Sequence, residues 1–281
     1  MSDALFERLP GEKDLYLPTV FTRGPWSPDA QHGGPPSALL AMAVEAHDTA
    51  DAPRMGREST EPMFVARLNV ELMRPVPLTP LHVRVRTDRP GRKVQLVEAA
   101  LFSGEVQVAR ATGVRIRRKR IEIPESAMGT APSPPPPASG VSSEPPWRHE
   151  GAPIGFHTDG VDHRFVVGGF DRPGPAVDWI RLRVPLLAGQ PTPPISRVAA
   201  AADFGNGVSW VLPRQDGYQF INPDLTIYLH AYPAGEWVCL DAVTWPGSHG
   251  VGLAESLLRD EGGPIGRSLQ SLLLDRVEGR G

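Results

Sequence analysis

What most constrains the fold of this 281-residue chain is an order of elements that occurs twice. A small-residue apolar run, GPPSALLAMAVEAHD (34–48), precedes four strand-like runs at 64–74, 81–89, 93–103 and 106–117. A second, PISRVAAAADFGNG (194–207), precedes four more at 224–232, 237–245, 251–260 and 265–275. Shorter pieces near 15–26 and at 177–185 each offer a leading strand. One helix followed by strands on short turns predicts an α+β fold with a largely antiparallel sheet. The cores of both helices, ALLAMAVEA and VAAAA, are apolar nearly all round, and such helices are buried rather than laid on a surface.

One buried helix wrapped by one curved sheet, done twice, is a double hotdog. The segment 126–147, SAMGTAPSPPPPASGVSSEPPW, is too rich in Pro, Ser and Gly to order itself as a core element and reads as a semi-extended linker. The expected division is an N-terminal hotdog at 1–125, a linker at 126–150, and a C-terminal hotdog at 151–281 that carries the catalytic polar residues.

Composition narrows the function. A net charge of −3 gives no bulk case for nucleic acid or an acidic membrane surface. The single cysteine, Cys239, excludes an internal disulfide framework and reads as a small core residue. The N-terminal MSDALFERLPGEKD lacks the apolar core of a signal peptide, and no run approaches the roughly 18 apolar residues of a membrane span. A cytoplasmic protein with no membrane span is the expectation. There is no G-x-S-x-G elbow and no phosphate-binding G-x-x-x-x-G-K-[ST]. FHTDGVDH (156–163) holds His157, Asp159, Asp162 and His163, but without a fixed strand or helix spacing. It reads as a solvated turn, and no metal is expected. Trp179, Trp210, Trp237 and Trp245 read as core or as the wall of an apolar tunnel.

Four stretches carry a family resemblance: QHGGPPSALLA, AAADFGNG, INPDLTIYLHAYPAGEWVCLDA and GLAESLLRDEGGPIGRSLQ. In this order and spacing, from about residue 20 to 275, the chain resembles the double-hotdog acyl-CoA thioesterases of the thioesterase II (TesB-like) group. The resemblance implies hydrolysis of acyl-CoA to fatty acid and CoA without a cofactor, by an Asp, a Thr or Ser, and a Gln. Asp203 and Gln270 take the first and last places. The hydroxyl position falls on Asn222, a departure that puts an amide there, with Thr226 four residues on as the nearest hydroxyl. Aligning the halves on each other sets Asp203 opposite Val44, Asn222 opposite Val65 and Gln270 opposite Gly113, so each polar position is apolar or glycine in the first half. The plainer readings are a turn cap for Asp203, a turn former for Asn222 and a solvent-facing Gln270.

On this reading Asp203 activates water, and Gln270 and Asn222 hold it. QHGGPPSALL (31–40) supplies the oxyanion side, and its Gly33–Gly34 helix start is expected to face Asp203 of the second half across one shared cleft. Pro35 and Pro36 suit the first helical turn, and Gly33 and Gly34 leave bare N–H groups that a thioester carbonyl can approach. His32 braces that turn or acts as an acid. RIRRKR (115–120) reads as a solvated strand end, or together with Arg89, Arg92 and Lys93 as a contact for CoA phosphates. Two alternatives stand: a non-catalytic acyl-CoA or lipid binder, and an enoyl hydratase or dehydratase. The latter wants a catalytic His with a carboxylate near the helix; His32 is the one helix-proximal His, and no second carboxylate accompanies it. A homo-oligomer, a dimer or larger, is expected.

Overall fold

A computed structural model describes residues 3–9, 11–47, 62–127, 134–143, 152–213 and 216–276. The first half contains β1 (Phe6–Arg8), β2 (Leu15–Pro18), α1 (Gly34–Ala46), β3 (Met63–Leu72), β4 (Leu81–Arg89), β5 (Val94–Ser103) and β6 (Val106–Arg117). The second contains β7 (Val141–Ser142), β8 (Val161–Gly169), β9 (Arg172–Leu182), α2 (Pro194–Ala202) and α3 (Gly205–Val208). It continues with β10 (Tyr218–Ile221), β11 (Asp224–Leu229), β12 (Val238–Pro246), β13 (Val251–Asp260) and β14 (Gly263–Arg276). The strands join in one antiparallel sheet of order β1-β2-β4-β5-β6-β3-β11-β14-β13-β12-β9-β8-β7, with β10 beside β14. This is a double hotdog of the α+β class, and α1 and α2 are its buried centre.

The two halves repeat at a constant step. β4 and β12, β5 and β13, and β6 and β14 each begin 157 residues apart, the same separation as Asn69 and Thr226. Asn69 and Thr226 are partners in the β3–β11 ladder, and Thr226 Oγ1 donates to Asn69 Oδ1 at 2.6 Å. Equivalent positions that pair with each other lie on a twofold axis, so an approximate dyad passes through this pair. Under it α1 and α2 pack antiparallel: Ser196 Oγ donates to the Ala38 carbonyl, while Gly34 lies against the Ala200 carbonyl. Small side chains at this crossing let the backbones approach closely.

Three expectations change. The second helix ends at Ala202, and a short separate turn, α3, follows. Part of the Pro/Ser-rich segment is tied to the fold: β7 pairs with β8, Pro137 is buried, and Trp179 Nε1 donates to the Pro135 carbonyl at 2.9 Å. FHTDGVDH is not a solvated turn. Phe156 and Thr158 are buried, and His163 is buried on β8 with its Nδ1 2.6 Å from Asp178. The reason is a cross-strand partner: β8 and β9 pair, and a buried imidazole is tolerated when a carboxylate meets it. Trp179 and Cys239 lie in the core, and burial pushes the Cys239 thiol up from its usual range. Trp245 is exposed on the sheet's outer side, so it lines no tunnel. Among the described residues no helix is long and apolar enough to cross a membrane.

Candidate active site

α1 begins at a tight backbone crossing. The His32 N–H donates to the Thr22 carbonyl, and the Gln31 N–H to the Val76 carbonyl, which fixes the chain before Gly33. Pro35 and Pro36 fill the first turn, where a missing N–H costs nothing. α2 runs the other way, so its C-terminal residue, Asp203, arrives at the head of α1.

The Asp203 side chain is 3% exposed, and both of its oxygens have polar neighbours. Asn222 Nδ2 donates to its Oδ1 at 2.8 Å. Gln270 Nε2 donates to the Asp203 carbonyl at 3.1 Å and reaches Oδ1 at 3.5 Å. His32 Nδ1 lies 2.9 Å from Oδ2. Gln270, from β14, has no free end, because its Oε1 accepts the Asn206 N–H at 3.1 Å. Both ends of the Gln270 amide thus have partners around Asp203. Asn222 gives its amide N–H to the carboxylate, which leaves its carbonyl oxygen to accept.

Rings close the site. His32 faces Phe204 at 4.6 Å and Phe156 at 5.2 Å between centroids, with His157 at 6.5 Å. These neighbours come from α2's exit and from FHTDG. The sequence reading missed them, and the one available signal was the aromatic in each of AAADF and GFHTDG. Asp203 does meet the head of α1, as expected of the Gly33–Gly34 helix start, and the antiparallel packing of the helices adds His32 as its neighbour.

The glycine pair has a packing role that the sequence reading did not include. A Cβ on Gly33 would stand 2.7 and 2.8 Å from the Asp203 carboxylate oxygens. One on Gly34 would stand 2.7 Å from Phe156 and 2.8 Å from the Ala200 carbonyl. The absent side chains therefore admit Asp203 and Phe156 to the head of α1. The Gly34 N–H faces His32 Nδ1 at 3.1 Å, whereas the Gly33 N–H meets no acceptor among the described residues.

Other expected site residues stand apart. Thr226 points to the outer face, paired with Asn69 and beside the exposed Leu269. Arg89, Arg92 and Lys93 are exposed at the β4–β5 turn. That turn lies at the C-terminal end of α1, where Thr87 meets His47, about 20 Å of helix rise from Gly34. Arg115 is no solvated strand end: it is buried and donates to the Val44 and His47 carbonyls, capping α1. In the first half the counterparts of the cluster are packed apolar: a Cβ on Gly113 would stand 2.3 Å from Val44 Cγ1. Among the described residues no three His, Cys, Asp or Glu side chains gather as metal ligands.

Comparison with known proteins gives the site a family. Residues 22–116 match the model of the acyl-CoA thioesterase N-terminal domain, and 130–274 that of the C-terminal domain. No curated protein matches the chain. Among solved structures, a Thermobifida fusca protein provisionally assigned as a thioesterase II is similar at 19% identity and TM-score 0.68, over 96% of this chain and 95% of that one. The acyl-CoA thioesterase II TesB2 of Mycobacterium marinum is similar at 18% identity and TM-score 0.62, over 99% and 98%. A hot dog protein of unknown function from Alicyclobacillus acidocaldarius is similar at 19% and 0.65, over 98% and 97%.

Proposed function

The chain belongs to the acyl-CoA thioesterase family of thioester hydrolases, and we propose that Asp203 is the general base that drives water onto the acyl-CoA carbonyl. The observation that carries this is the near-complete burial of the Asp203 carboxylate at the head of α1, with hydrogen bonds from Asn222 and Gln270 and the His32 ring nitrogen 2.9 Å away. A buried carboxylate costs several kcal/mol unless it is paired, so an apolar helix does not end in one without use. Asn222 replaces the hydroxyl of the family pattern: its N–H holds Asp203 and its carbonyl accepts a proton of the attacking water. Gln270 fixes the Asp203 rotamer. The unpaired Gly33 N–H at the positive end of α1 receives the developing oxyanion. The products are a free fatty acid and CoA.

Thiol release from short, medium and long acyl-CoAs tests the assignment. Asp203→Asn is expected to lower kcat by 10² or more, as losses of directed catalytic groups do. Release unaffected by the substitution would place the site elsewhere, and binding without release would leave an acyl-CoA binder.

One observation favours a second reading. The His32–Asp203 approach of 2.9 Å is a His–carboxylate pair of the kind that the hydratase alternative needs. Hydration of crotonyl-CoA, followed by loss of the conjugated absorbance and abolished by His32→Ala, would establish it.

We further place the protein in the cytoplasm and divide it into units at 1–125 and 151–281. A homo-oligomer is proposed through the outer sheet face. There Ile221 and Val251 both pair with Leu273 in register, and Leu253 and Leu269 stand exposed beside them. Sedimentation of Leu269→Lys/Leu273→Lys should show smaller species than the unaltered protein. An unchanged species would remove this face from the interface.

A further inference from the structure

One rim of the first half carries charge that the proposed reaction does not use. The β4–β5 turn brings Arg89, Arg92 and Lys93 there, and β6 ends beside it, with the Arg117 N–H donating to the Lys93 carbonyl at 2.9 Å. The chain then runs on through Arg118, Lys119 and Arg120. Adjacent strands lie about 5 Å apart and consecutive Cα atoms about 4 Å apart, so these six cations form one cluster. All six are exposed, and none has an ion-pair partner among the described residues. Elsewhere on the same sheet arginines are paired: Arg86 meets Asp88 and Glu98, and Arg110 meets Glu71. The fold does not require the cluster. At the constant step between the halves, the places of Arg89, Arg92, Lys93, Arg118 and Lys119 fall on Pro246, His249, Gly250, Asp275 and Arg276. The second half thus balances a cation with a carboxylate where the first half bears mutual repulsion.

Apolar side chains stand among these cations. Ile116 is 43% exposed, Ile121 67% and Ile123 53%, with one carboxylate, Glu122, between the last two. Neither 89–93 nor 116–123 holds an aromatic ring. Nucleic acid bases want aromatic faces to stack on, and none is offered here. Solvated cations interleaved with exposed aliphatic side chains suit a lipid surface, where phosphates meet the cations and apolar groups enter the acyl boundary beneath.

We propose that this rim docks the protein on an anionic lipid membrane surface. The guanidinium and ammonium groups bind lipid phosphates, and the three isoleucines insert between the headgroups. The overall charge of −3 does not oppose this, because charges more than about 8 Å from the contact are largely screened at physiological salt. Docking leaves the candidate site free, since the rim lies at the C-terminal end of α1 and Asp203 at its head, about 20 Å of helix rise away. The proposal does not depend on how Asp203 acts.

The test is sedimentation of the whole chain with vesicles of phosphatidylcholine, alone or mixed in equal parts with phosphatidylglycerol. Binding is expected to the mixed vesicles only, and it should fall steeply as salt rises. Arg118→Gln/Lys119→Gln/Arg120→Gln should weaken it about 10²-fold, at about fivefold per cation. Ile121→Ser/Ile123→Ser should weaken it about tenfold. Both variants change exposed side chains and should unfold at the same urea concentration as the unaltered protein. Equal binding to the two kinds of vesicle, or a triple variant that binds as before, overturns the proposal. So does an Ile121→Ser/Ile123→Ser protein that binds undiminished, since the rim would then be a contact for any polyanion. A triple variant with a raised KM for acyl-CoA and unchanged vesicle binding would assign the rim to the phosphates of CoA instead.

Discussion

Replacing Gly33 by alanine puts one methyl group against the Asp203 carboxylate. The backbone does not resist the change, since Gly33 has φ −65 and ψ −23, values any residue adopts. The effect is steric. The added Cβ would stand 2.7, 2.8 and 3.0 Å from Oδ2, Oδ1 and Cγ of Asp203, against 3.4 Å for an ordinary contact, so the carboxylate must retreat by roughly 0.7 Å. Its hydrogen bond from Asn222 at 2.8 Å then stretches towards 3.5 Å, past useful length, and its 2.9 Å approach to His32 opens with it. Overpacking of this kind costs about 1–3 kcal/mol of stability. The catalytic loss is larger than that figure suggests, because a misplacement near 1 Å can cost about 10² in rate. Gly33→Ala is therefore expected to fold, to unfold at lower urea, and to release thiol from acyl-CoA about 10- to 100-fold more slowly. Gly207→Ala is the control: nothing lies within 4 Å of its Cβ, and it should be neutral or slightly stabilising. Gly33→Ala with unaltered kcat would mean that the placement of Asp203 does not matter to turnover, and the general-base assignment would fail with it.

Further outcomes follow from the same contacts. Gly113→Ala should destabilise by about 1–3 kcal/mol through its clash with Val44, and the double variant Gly113→Ala/Val44→Ala should recover part of that loss in urea unfolding. Arg115→Leu should cost about 1–3 kcal/mol by stripping the Val44 and His47 carbonyls of their buried donor, read in the same assay. Burial alone would raise the Asp162 carboxyl, but hydrogen bonds from Arg183 and Arg181 outweigh it and hold the group below its usual range. A depressed folded value means stabilisation that is present above the ordinary Asp range, near pH 4, and lost as pH falls through the folded value. The Tm gap between the unaltered protein and Asp162→Asn should therefore be open at pH 7 and close below about pH 4, and a gap independent of pH would refute the ion pair's role.

The strands were the most legible part of the sequence. The readings at 81–89, 106–117 and 251–260 coincide with β4, β6 and β13, because a period of two bounded by short turns leaves little choice. β8 was not legible. Its pattern VDHRFVVGG sets His163 in an inward slot, and what makes that slot acceptable is Asp178 on the next strand, which leaves no local trace. The meeting of Asp203 with the head of α1 was legible, whereas His32 as its neighbour there was not. The Thr226 assignment failed for a subtler reason. In an unbroken strand, residues 222 and 226 would face the same side. The first half shows why they do not: the β3–β6 register slips between Val65 and Arg67. One extra residue reverses the alternation, so Val65 and Leu68 are both buried although three residues apart. At the equivalent place in the second half, Pro223 separates β10 from β11. Asn222, the counterpart of Val65, is thereby turned to Asp203, and Thr226, the counterpart of Asn69, is turned outward. The irregularity belongs to both halves, so it is part of the architecture rather than of the site. The architecture supplies one inward position before the break in each half, and only the second half sets a hydrogen-bonding side chain there.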